Sequence, residues 1–350
     1  MGGLTLTIIT ARATSLNYGE SIGNVSVLKK LSLSDGSQKT FVSDKALKYD
    51  IRRKGKEEKG WRLLDERLKS YIKGSLSNNE FDVDHFGKAL IKEYEEFDLF
   101  GGLFTNLKTE DGKKIVKKGK ENKEKKKKDE KEKEKDEIPM SYGDSVKRTS
   151  PVKVTYAFSI SKFSGDMNFL NNIDAYNRYI KHVETEKEQS IHTSEEHTSH
   201  YLYTVTVDLD RIGVWEKEDG SPEKVLENEE RAKRVLDLLD ILKTLNRQIR
   251  GRWENLSPVF VVGGVFSVKH PFFMEGVEAI EKGDKLWLNI QRLKESFEYL
   301  PEGETPVVGV LSGVFENEEE IKKELKATSV PKAFEELKEQ VRKYYGVGVS

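Results

Sequence analysis

The sequence reads S-L-N-Y-G-E-S-I-G-N-V-S-V-L-K-K-L at Ser15–Leu31 and F-V-S-D-K-A-L-K-Y-D-I-R-R at Phe41–Arg53. The first stretch predicts a strand that runs into a loop containing glycine and asparagine. The second predicts a helix that begins after Ser43, whose hydroxyl is suited to accept from a free backbone N–H of the first turn. Asn17 and Ser43 can also donate to a phosphate or a ribose 2′-OH, although both are ordinary loop and cap residues.

The helix after Ser43 has two chemically different faces. At roughly 100° per residue, Lys45, Lys48 and Arg52 fall within about 60° of one another. Leu47 and Ile51 fall on the opposite side, where they can pack on a core. The cationic face is either an ordinary solvated surface or a row of phosphate contacts. Neighbouring cations favour the phosphates, and these are Lys29, Lys30 and Arg53.

The overall composition says less about function than the local pattern of charged and apolar residues does. The chain has 350 residues, a formal net charge of -1, 35% charged residues and no cysteine. Disulfides and thiolate metal sites are therefore excluded. The many lysines and glutamates resemble the surfaces of thermophile proteins. We found neither a long apolar run nor a signal-peptide pattern in the sequence, so we expect a cytoplasmic protein that does not bind a membrane.

Hydrophobic periodicity predicts alternating strands and helices beyond the first stretch. Their order is strand, helix, strand, strand, helix, strand, the βαββαβ pattern of ferredoxin-like and RRM-like α+β folds. Such a fold packs both helices on one sheet face, so we expect the other face to be open. The six predicted elements are Leu4–Thr10, the helix after Ser43, 152–160, Tyr201–Leu209, Glu229–Arg250 and Pro258–Val268.

Insertions divide this predicted core. Residues 108–146 are rich in lysine and glutamate and bury too little to offset the entropy of ordering, so we expect a disordered or frayed, solvated insertion. Another possible finger or thumb loop covers 171–198. The core, or palm, is then one domain within 1–350, built from 1–53, 147–170, 199–270 and 303–318, with helices inserted at 54–107 and further helices at 319–350.

One histidine cluster invites a metal-site interpretation. It reads I-H-T-S-E-E-H-T-S-H and contains His192, His197 and His200. The spacing is not that of a zinc protease, and the serine- and threonine-rich surroundings are typical of a loop. We predict no metal and no cofactor. The paired Gly263 and Gly264 indicate either close packing within a sheet or close approach of the backbone to RNA.

Several segments, in order along much of the chain, resemble a known family. The loop from Asn17 through Gly19–Gly23 to Lys29–Lys30 is followed by V-S-D-K-A-L-K-Y-D-I-R-R at Val42–Arg53. Further segments are E-F-D-L-F-G-G at Glu96–Gly102, K-R-T-S-P-V-K-V at Lys147–Val154 and Y-T-V-T-V-D-L-D-R-I-G at Tyr203–Gly213. Together they are similar to the DevR-type "autoregulator" family, the backbone subunit of type I CRISPR Cascade complexes.

This resemblance implies a modified RRM-like palm with inserted finger and thumb segments. Copies would line up along a CRISPR RNA in an I-B-like complex and kink the guide at intervals, leaving the bases between kinks free to pair with single-stranded target DNA. The implied partners are CRISPR RNA, further copies of the chain, a 5′-end-capping subunit and a large subunit. Contacts to the RNA backbone suit spacers of any sequence.

The pattern and the resemblance together give a set of candidate RNA-binding residues. On the first loop and helix they are Asn17, Lys29, Lys30, Ser43, Lys45, Lys48, Arg52 and Arg53. Elsewhere they are Arg148, Arg250, Arg252 and Lys269.

Catalysis is not predicted. Related subunits of type III complexes cut target RNA with an aspartate in an early glycine-rich loop, whereas this chain has Glu20 and no aspartate between Tyr18 and Ser34. We interpret Asp98 as a turn residue. The alternatives are a metal-dependent endoribonuclease that uses Glu20 or Asp98, an RRM-like transcriptional regulator that binds duplex DNA, and an RRM-like protein outside CRISPR systems.

Overall fold

The computed structural model describes residues 2–117, 137–170, 178–179, 182 and 192–348. Nine strands of this part form the main sheet, in the order β9-β8-β7-β1-β6-β5-β3-β2, with β4 also paired to β6. In chain order they are Gly3–Thr10 (β1), Lys30–Ser32 (β2), Gln38–Val42 (β3), Val152–Val154 (β4), Ala157–Ser159 (β5), Tyr201–Asp208 (β6), Pro258–Phe266 (β7), Val307–Val310 (β8) and Thr328–Ser329 (β9).

The middle of this sheet has the order expected of a ferredoxin-like fold. The first strand lies between the third and the fourth of the predicted strands, and the second lies outside the third. The predicted α+β palm is therefore confirmed. The second predicted strand is broken into β4 and β5, since Thr155 and Tyr156 leave the ladder between them.

The helices differ from the predicted ones mainly at their ends. Ser43 caps the first, accepting from the N–H of Ala46 at 3.3 Å, and Gly60 ends it in a left-handed conformation with φ 69°. Within the predicted helical insertion 54–107, Tyr94 separates two consecutive helices. The helices of the described residues are Asp44–Lys59 (α1), Leu68–Gly74 (α2), Val83–Glu93 (α3), Glu95–Phe100 (α4), Asn228–Lys243 (α5), Ile290–Phe297 (α6), Glu318–Leu325 (α7) and Val330–Tyr345 (α8).

The main core lies between the sheet and the helices α1, α5 and α8. Alternate residues of β1 and β6 point into it, because side chains alternate between the faces of a strand. Leu47 and Ile51 fill it from α1, as their spacing predicts. Other members are Leu4, Leu6, Ile8, Val205, Val207, Leu238, Leu242, Phe334 and Leu337.

The opposite face of the sheet is not open over β1, β7 and β8, contrary to the expectation from the RRM pattern. A second core covers it there, built by residues that follow β7 and β8 and include Phe272, Phe273, Leu286 and Phe315. Gly263 packs closely against β1, since a Cβ there would lie 2.3 Å from the carbonyl oxygen of Thr5 and 2.6 Å from the side chain of Leu6 in the main core. Close packing within the sheet therefore accounts for that glycine.

A third core organises the helical insertion and both ends of the lysine-rich segment. Leu107, Ile115, Met140 and Val146 are buried against α3 and α4, so the predicted disorder of 108–146 does not extend to these ends. Residues 118–136 lie outside the described part. Pairs of short strands in this region are Leu76–Ser77 with Glu80–Phe81, Gly102–Phe104 with Val146–Arg148, and Lys114–Val116 with Glu137–Pro139.

A separate four-stranded sheet joins the first loop to the segment predicted as finger or thumb. Its strands, in spatial order, are Asp166–Leu170, His192–Glu196, Val25–Leu28 and Tyr18–Ile22. Most of 171–191 lies outside the described residues. The remaining two-stranded pairs are Ala13–Thr14 with Thr198–Ser199, Val214–Glu216 with Pro222–Lys224, Asn246–Ile249 with Arg252–Asn255, and Ala279–Lys282 with Lys285–Leu288.

Asp98 is not a turn residue but a buried carboxylate within α4. Its oxygens accept from Arg148 at 2.6 Å and Arg234 at 2.9 Å, and all three side chains are almost completely buried. The N–H of Gly213 donates to the same carboxylate at 2.9 Å. This cluster joins α4 and α5 to the strand Val146–Arg148 and to the turn at Gly213, which lie in two different segments of the family resemblance. No helix in the described ranges has the length and apolar character needed to cross a membrane.

Candidate nucleic-acid interface

The N-terminal half of α1 carries the least compensated positive charge of the predicted site. Lys45 is exposed and makes no ion pair with any described residue. Lys48 is half-buried and lies 3.6 Å from Asp44, one turn earlier. Such i,i+4 pairs at a helix surface contribute only about 0.3–0.5 kcal/mol, so Lys48 can exchange Asp44 for a phosphate at little cost.

Arg52 and Arg53 are more firmly held than the two lysines. Arg52 lies 2.8 Å from Glu96 of α4 and above the ring of Phe100. Arg53 donates to the side-chain oxygen of Asn246 at 2.6 Å and its guanidinium lies 5.1 Å from the ring centre of Trp253. These two arginines therefore fix α1 against the helical insertion on one side and the hairpin 246–255 on the other.

The hairpin 246–255 replaces the last turns of the predicted helix 229–250. Arg247 attaches it by donating to the Leu16 carbonyl at 2.6 Å and by pairing with Asp50 of α1. Burial raises the pKa of Asp50, and Arg247 and Arg53 oppose that rise. The hairpin is thus held by buried charge pairs, and its tip is the part left for another partner.

Arg250 and Arg252 stand at this tip. Arg250 adopts φ 55°, a left-handed conformation that is uncommon for a residue with a Cβ. Its guanidinium lies 4.5 Å from the ring centre of Tyr18 and donates to Ser194 at 3.2 Å. Arg252 is about half exposed, with 47% of its side-chain surface free, and lies 3.3 Å from Glu254.

The first loop completes the same surface. The backbone oxygen of Asn17 accepts from the N–H of Lys29 at 2.9 Å. The side-chain nitrogen of Asn17 is buried and has no hydrogen-bond partner in the structure as described. Lys29 makes no ion pair within the described ranges, whereas Lys30 lies 2.5 Å from Glu195 and above the ring of Phe163.

Two predicted residues lie away from this surface. Arg148 is bonded in the interior to Asp98 and to the carbonyls of Val214 and Arg211, so we exclude it from the interface. Lys269 lies 2.6 Å from Asp208 and 2.7 Å from Asp210. It follows the end of β7 that pairs with Gly3, about 24 Å along β1 from the end near the hairpin.

His197 and His200 are hydrogen-bonded side chains of the interior, and the side chain of His192 lies outside the described part. His197 lies 2.8 Å from the hydroxyl of Thr40 and 3.3 Å from that of Ser161, and His200 donates to the carbonyl of Thr10 at 2.8 Å. Burial lowers the pKa of both. Within the described ranges no three histidine, aspartate or glutamate side chains are grouped to hold a metal ion.

Sequence reasoning missed Arg247, Trp253 and Asp50 as supports of the interface. The R-G pair at Arg250–Gly251 was a usable signal, because a glycine between two short polar stretches is typical of a hairpin turn. Leu245 and Ile249 disguised it, because their four-residue spacing also suits a helix.

Comparison with known proteins agrees with the fold and with the segments quoted above. Curated protein sequences yield no match. Two solved chains are similar over almost their whole length at 12% identity, one from a "CRISPR RNA-guided surveillance complex" (TM-score 0.52, 96% of this chain and 98% of that one) and one from a "CRISPR RNA-guided surveillance complex, pre-nicking" (TM-score 0.50, 97% and 99%).

At this identity the solved structures establish a shared fold. The family is established by a sequence model described as "CRISPR-associated negative auto-regulator DevR/Csa2", which matches residues 6–285. Because this match spans most of the chain, the protein belongs to the DevR/Csa2 family of CRISPR-associated proteins.

Proposed function

We propose that this protein is a non-catalytic scaffold that binds CRISPR RNA and lines up in several copies along it. In this role it acts in the cytoplasm within a type I Cascade complex, beside an end-capping and a large subunit. It presents the guide for pairing with single-stranded target DNA. The RNA is held by its sugar-phosphate backbone, so that any spacer sequence is accepted.

The observation that carries this proposal is the joint surface of α1, the first loop and the hairpin tip. Lys45 and Lys29 have no acidic partner among the described side chains, and Lys48 has only a weak one. Arg250 and Arg252 lie at the tip of a hairpin that Arg247 and Arg53 hold against α1. Cations on a rigid support suit phosphates, because little side-chain and backbone entropy is lost on binding.

The comparisons support the assembly in which we propose this role. Both similar solved chains come from RNA-guided surveillance complexes, and the similarity covers 96% and 97% of this chain. A non-catalytic role also agrees with the surroundings of Asp98 and Glu20, the two carboxylates named as catalytic alternatives. Asp98 is enclosed by two arginines, and Glu20 is an exposed residue of the strand Tyr18–Ile22.

The test is to co-express the protein with a CRISPR array, purify it and sequence the bound nucleic acid. We expect CRISPR RNA with every spacer of the array in similar amounts. A Lys45→Glu/Lys48→Glu variant should carry much less RNA, whereas Lys56→Glu, an exposed change near the far end of the same helix, should carry a normal amount. Protein that purifies folded and free of RNA from the same cells would refute the proposal.

A further inference from the structure

Three aromatic rings form a small platform on the sheet face opposite α1. Phe41 of β3 and Phe158 of β5 are direct partners across the two strands, so their side chains share a face. Tyr156 stacks on Phe41 with ring centres 5.1 Å apart and planes inclined by 16°. Tyr156 is 44% exposed, which leaves part of its surface available to another planar group.

Two rings of this aromatic platform (Phe41, Tyr156 and Phe158) line a groove of about 430 Å³, namely Tyr156 and Phe158. The second core covers β1 and β7 but stops short of β3 and β5, so the groove lies between these strands and residues 274–279. Its wall includes large apolar side chains that remain exposed, which marks an interaction surface. They are Leu31 at 44%, Leu33 at 38% and Met274 at 41%.

The groove wall carries charges of both signs, because Arg292 there lies 3.2 Å from Glu278 and 3.9 Å from Glu275, whereas two lysines near the platform lack such partners. Lys39 and Lys153 make no ion pair with any residue the structure describes. Burial lowers the pKa of Lys39, and nearby Lys162 lowers it further. Burial likewise lowers the pKa of Lys153, with Lys48 and Arg211 as positive neighbours. An anion that approached either lysine would stabilise its charged form against the cost of burial.

We propose that the aromatic platform, with Lys39 and Lys153, is a second nucleic-acid site that stacks unpaired bases of a single strand. Stacked rings flanked by cations are how proteins hold single strands without reading their sequence. The charge favours this partner over an apolar peptide, which would leave both lysines unneutralised. The strand β4, which carries Lys153, contacts α1, which carries Lys48, so the site continues the basic surface around the edge of the sheet.

This inference is independent of the proposed function, because none of its residues belongs to the α1 and hairpin surface. The platform also differs in position from a stacking site on the middle strands of the sheet. Here β1 and β7 are covered by the second core, and the rings stand instead on the outer strands β3 and β5.

The first test locates bound bases directly. The full chain is irradiated together with a single strand of ten nucleotides that carries one 5-iodouracil, once as DNA and once as RNA. The cross-linked peptides are then identified by mass spectrometry. We expect cross-links at Tyr156 or Phe158, and the better-linked strand identifies whether DNA or RNA occupies the site. Cross-links confined to Tyr18 and Trp253 near the hairpin would overturn the proposal.

The second test uses fluorescence anisotropy to measure the affinities of the same strands made without 5-iodouracil. Tyr156→Ala should weaken binding about 5- to 100-fold, whereas Tyr156→Phe keeps the ring and should bind normally. Tyr299→Ala is the matched control, because Tyr299 is 77% exposed and lies outside the groove lining. Lys39→Gln/Lys153→Gln should weaken binding and flatten its salt dependence. Normal affinity of folded Tyr156→Ala would overturn the proposal.

Discussion

At the scale of single residues, Asp98 is the side chain on which most of the structure depends. Its carboxylate pairs with two buried guanidinium groups, one of which also pairs with Glu230, and accepts from one backbone N–H. Removing one member of such a cluster leaves the others as uncompensated buried charges, which cost much more than the cluster itself contributes.

We expect Asp98→Asn to lower the free energy of unfolding by about 3–5 kcal/mol, because Arg148 loses its carboxylate partner and Arg234 keeps only Glu230, at 3.2 Å. Urea denaturation followed by circular dichroism measures the change. The matched control is Asp35→Asn, which breaks a 2.6 Å pair with Lys162 in which both side chains are about half exposed, and it should have little effect. Equal midpoints for the two variants would contradict the structural role of Asp98.

His197 gives the protein a stability that depends on pH. Burial lowers its pKa in the folded state, so the unfolded chain, with a histidine pKa of about 6.5, binds the proton more tightly. The contribution is complete above that value and is lost as the pH falls from about 6.5 towards the lowered folded pKa. We expect the urea midpoint to fall between pH 7 and pH 5, and to fall less in His197→Gln. If the urea midpoint of His197→Gln fell as steeply with pH as that of the wild type, His197 would be excluded as a source of the pH dependence.

The sequence indicates that Asp98 is unusual but not what it binds. A carboxylate in F-D-L-F, between apolar residues, either ends an element or is buried with a partner. Arg148 and Arg234 lie 50 and 136 residues further along, so no local pattern links them. The same holds for His197, whose partner Thr40 is 157 residues away.

At the scale of elements, α1 combines a structural and a binding role on different faces. The cap at Ser43 and the buried Leu47 and Ile51 were predictable, because both follow from local spacing. The distribution of charge was only partly predictable, since Arg52 and Arg53 find acceptors on elements distant in sequence. The lysines nearest the N-terminus of α1 therefore remain the better candidates for phosphate.

We expect Lys45→Glu/Lys48→Glu to weaken guide-RNA binding strongly without unfolding the protein. Each lost phosphate contact should reduce the slope of log affinity against log salt by about 0.7. Filter binding at several salt concentrations measures this, with Lys56→Glu as the control of equal charge change on the same helix. Wild-type affinity and slope in the folded double variant would refute the assignment.

At the scale of the whole molecule, the order of the middle strands could be predicted from the βαββαβ pattern of the sequence. The second core that covers the other face of the sheet could not. Alternating apolar residues show that a strand has a buried side. In β7 both sides are buried, since Val261 faces the helices and Val262 faces the second core. The apolar residues Phe272, Phe273 and Phe315 predict some core. Nothing local assigns them to one face, because their partners on the sheet are brought to them only by the fold.

We expect the protein to assemble along guide RNA in steps. Light scattering of complexes with RNAs of increasing length should show a mass that rises by one protein copy per fixed number of nucleotides, independent of sequence. The Lys45→Glu/Lys48→Glu variant should show no such steps at the same concentrations. If one copy bound each RNA whatever its length, the protein would bind RNA but the scaffold role would be refuted.

The position of β1 also determines when this protein can fold during its synthesis. The central strand β1 is synthesised before its partners β6 and β7, which begin near residues 201 and 258. The helical insertion likewise precedes Arg234, which packs against it. The nascent chain must therefore hold an unpaired apolar strand until β6 and β7 have been translated, which favours slow folding and exposes it to aggregation. Expression of N-terminal fragments should accordingly give insoluble protein, whereas growth at lower temperature should favour the intact chain.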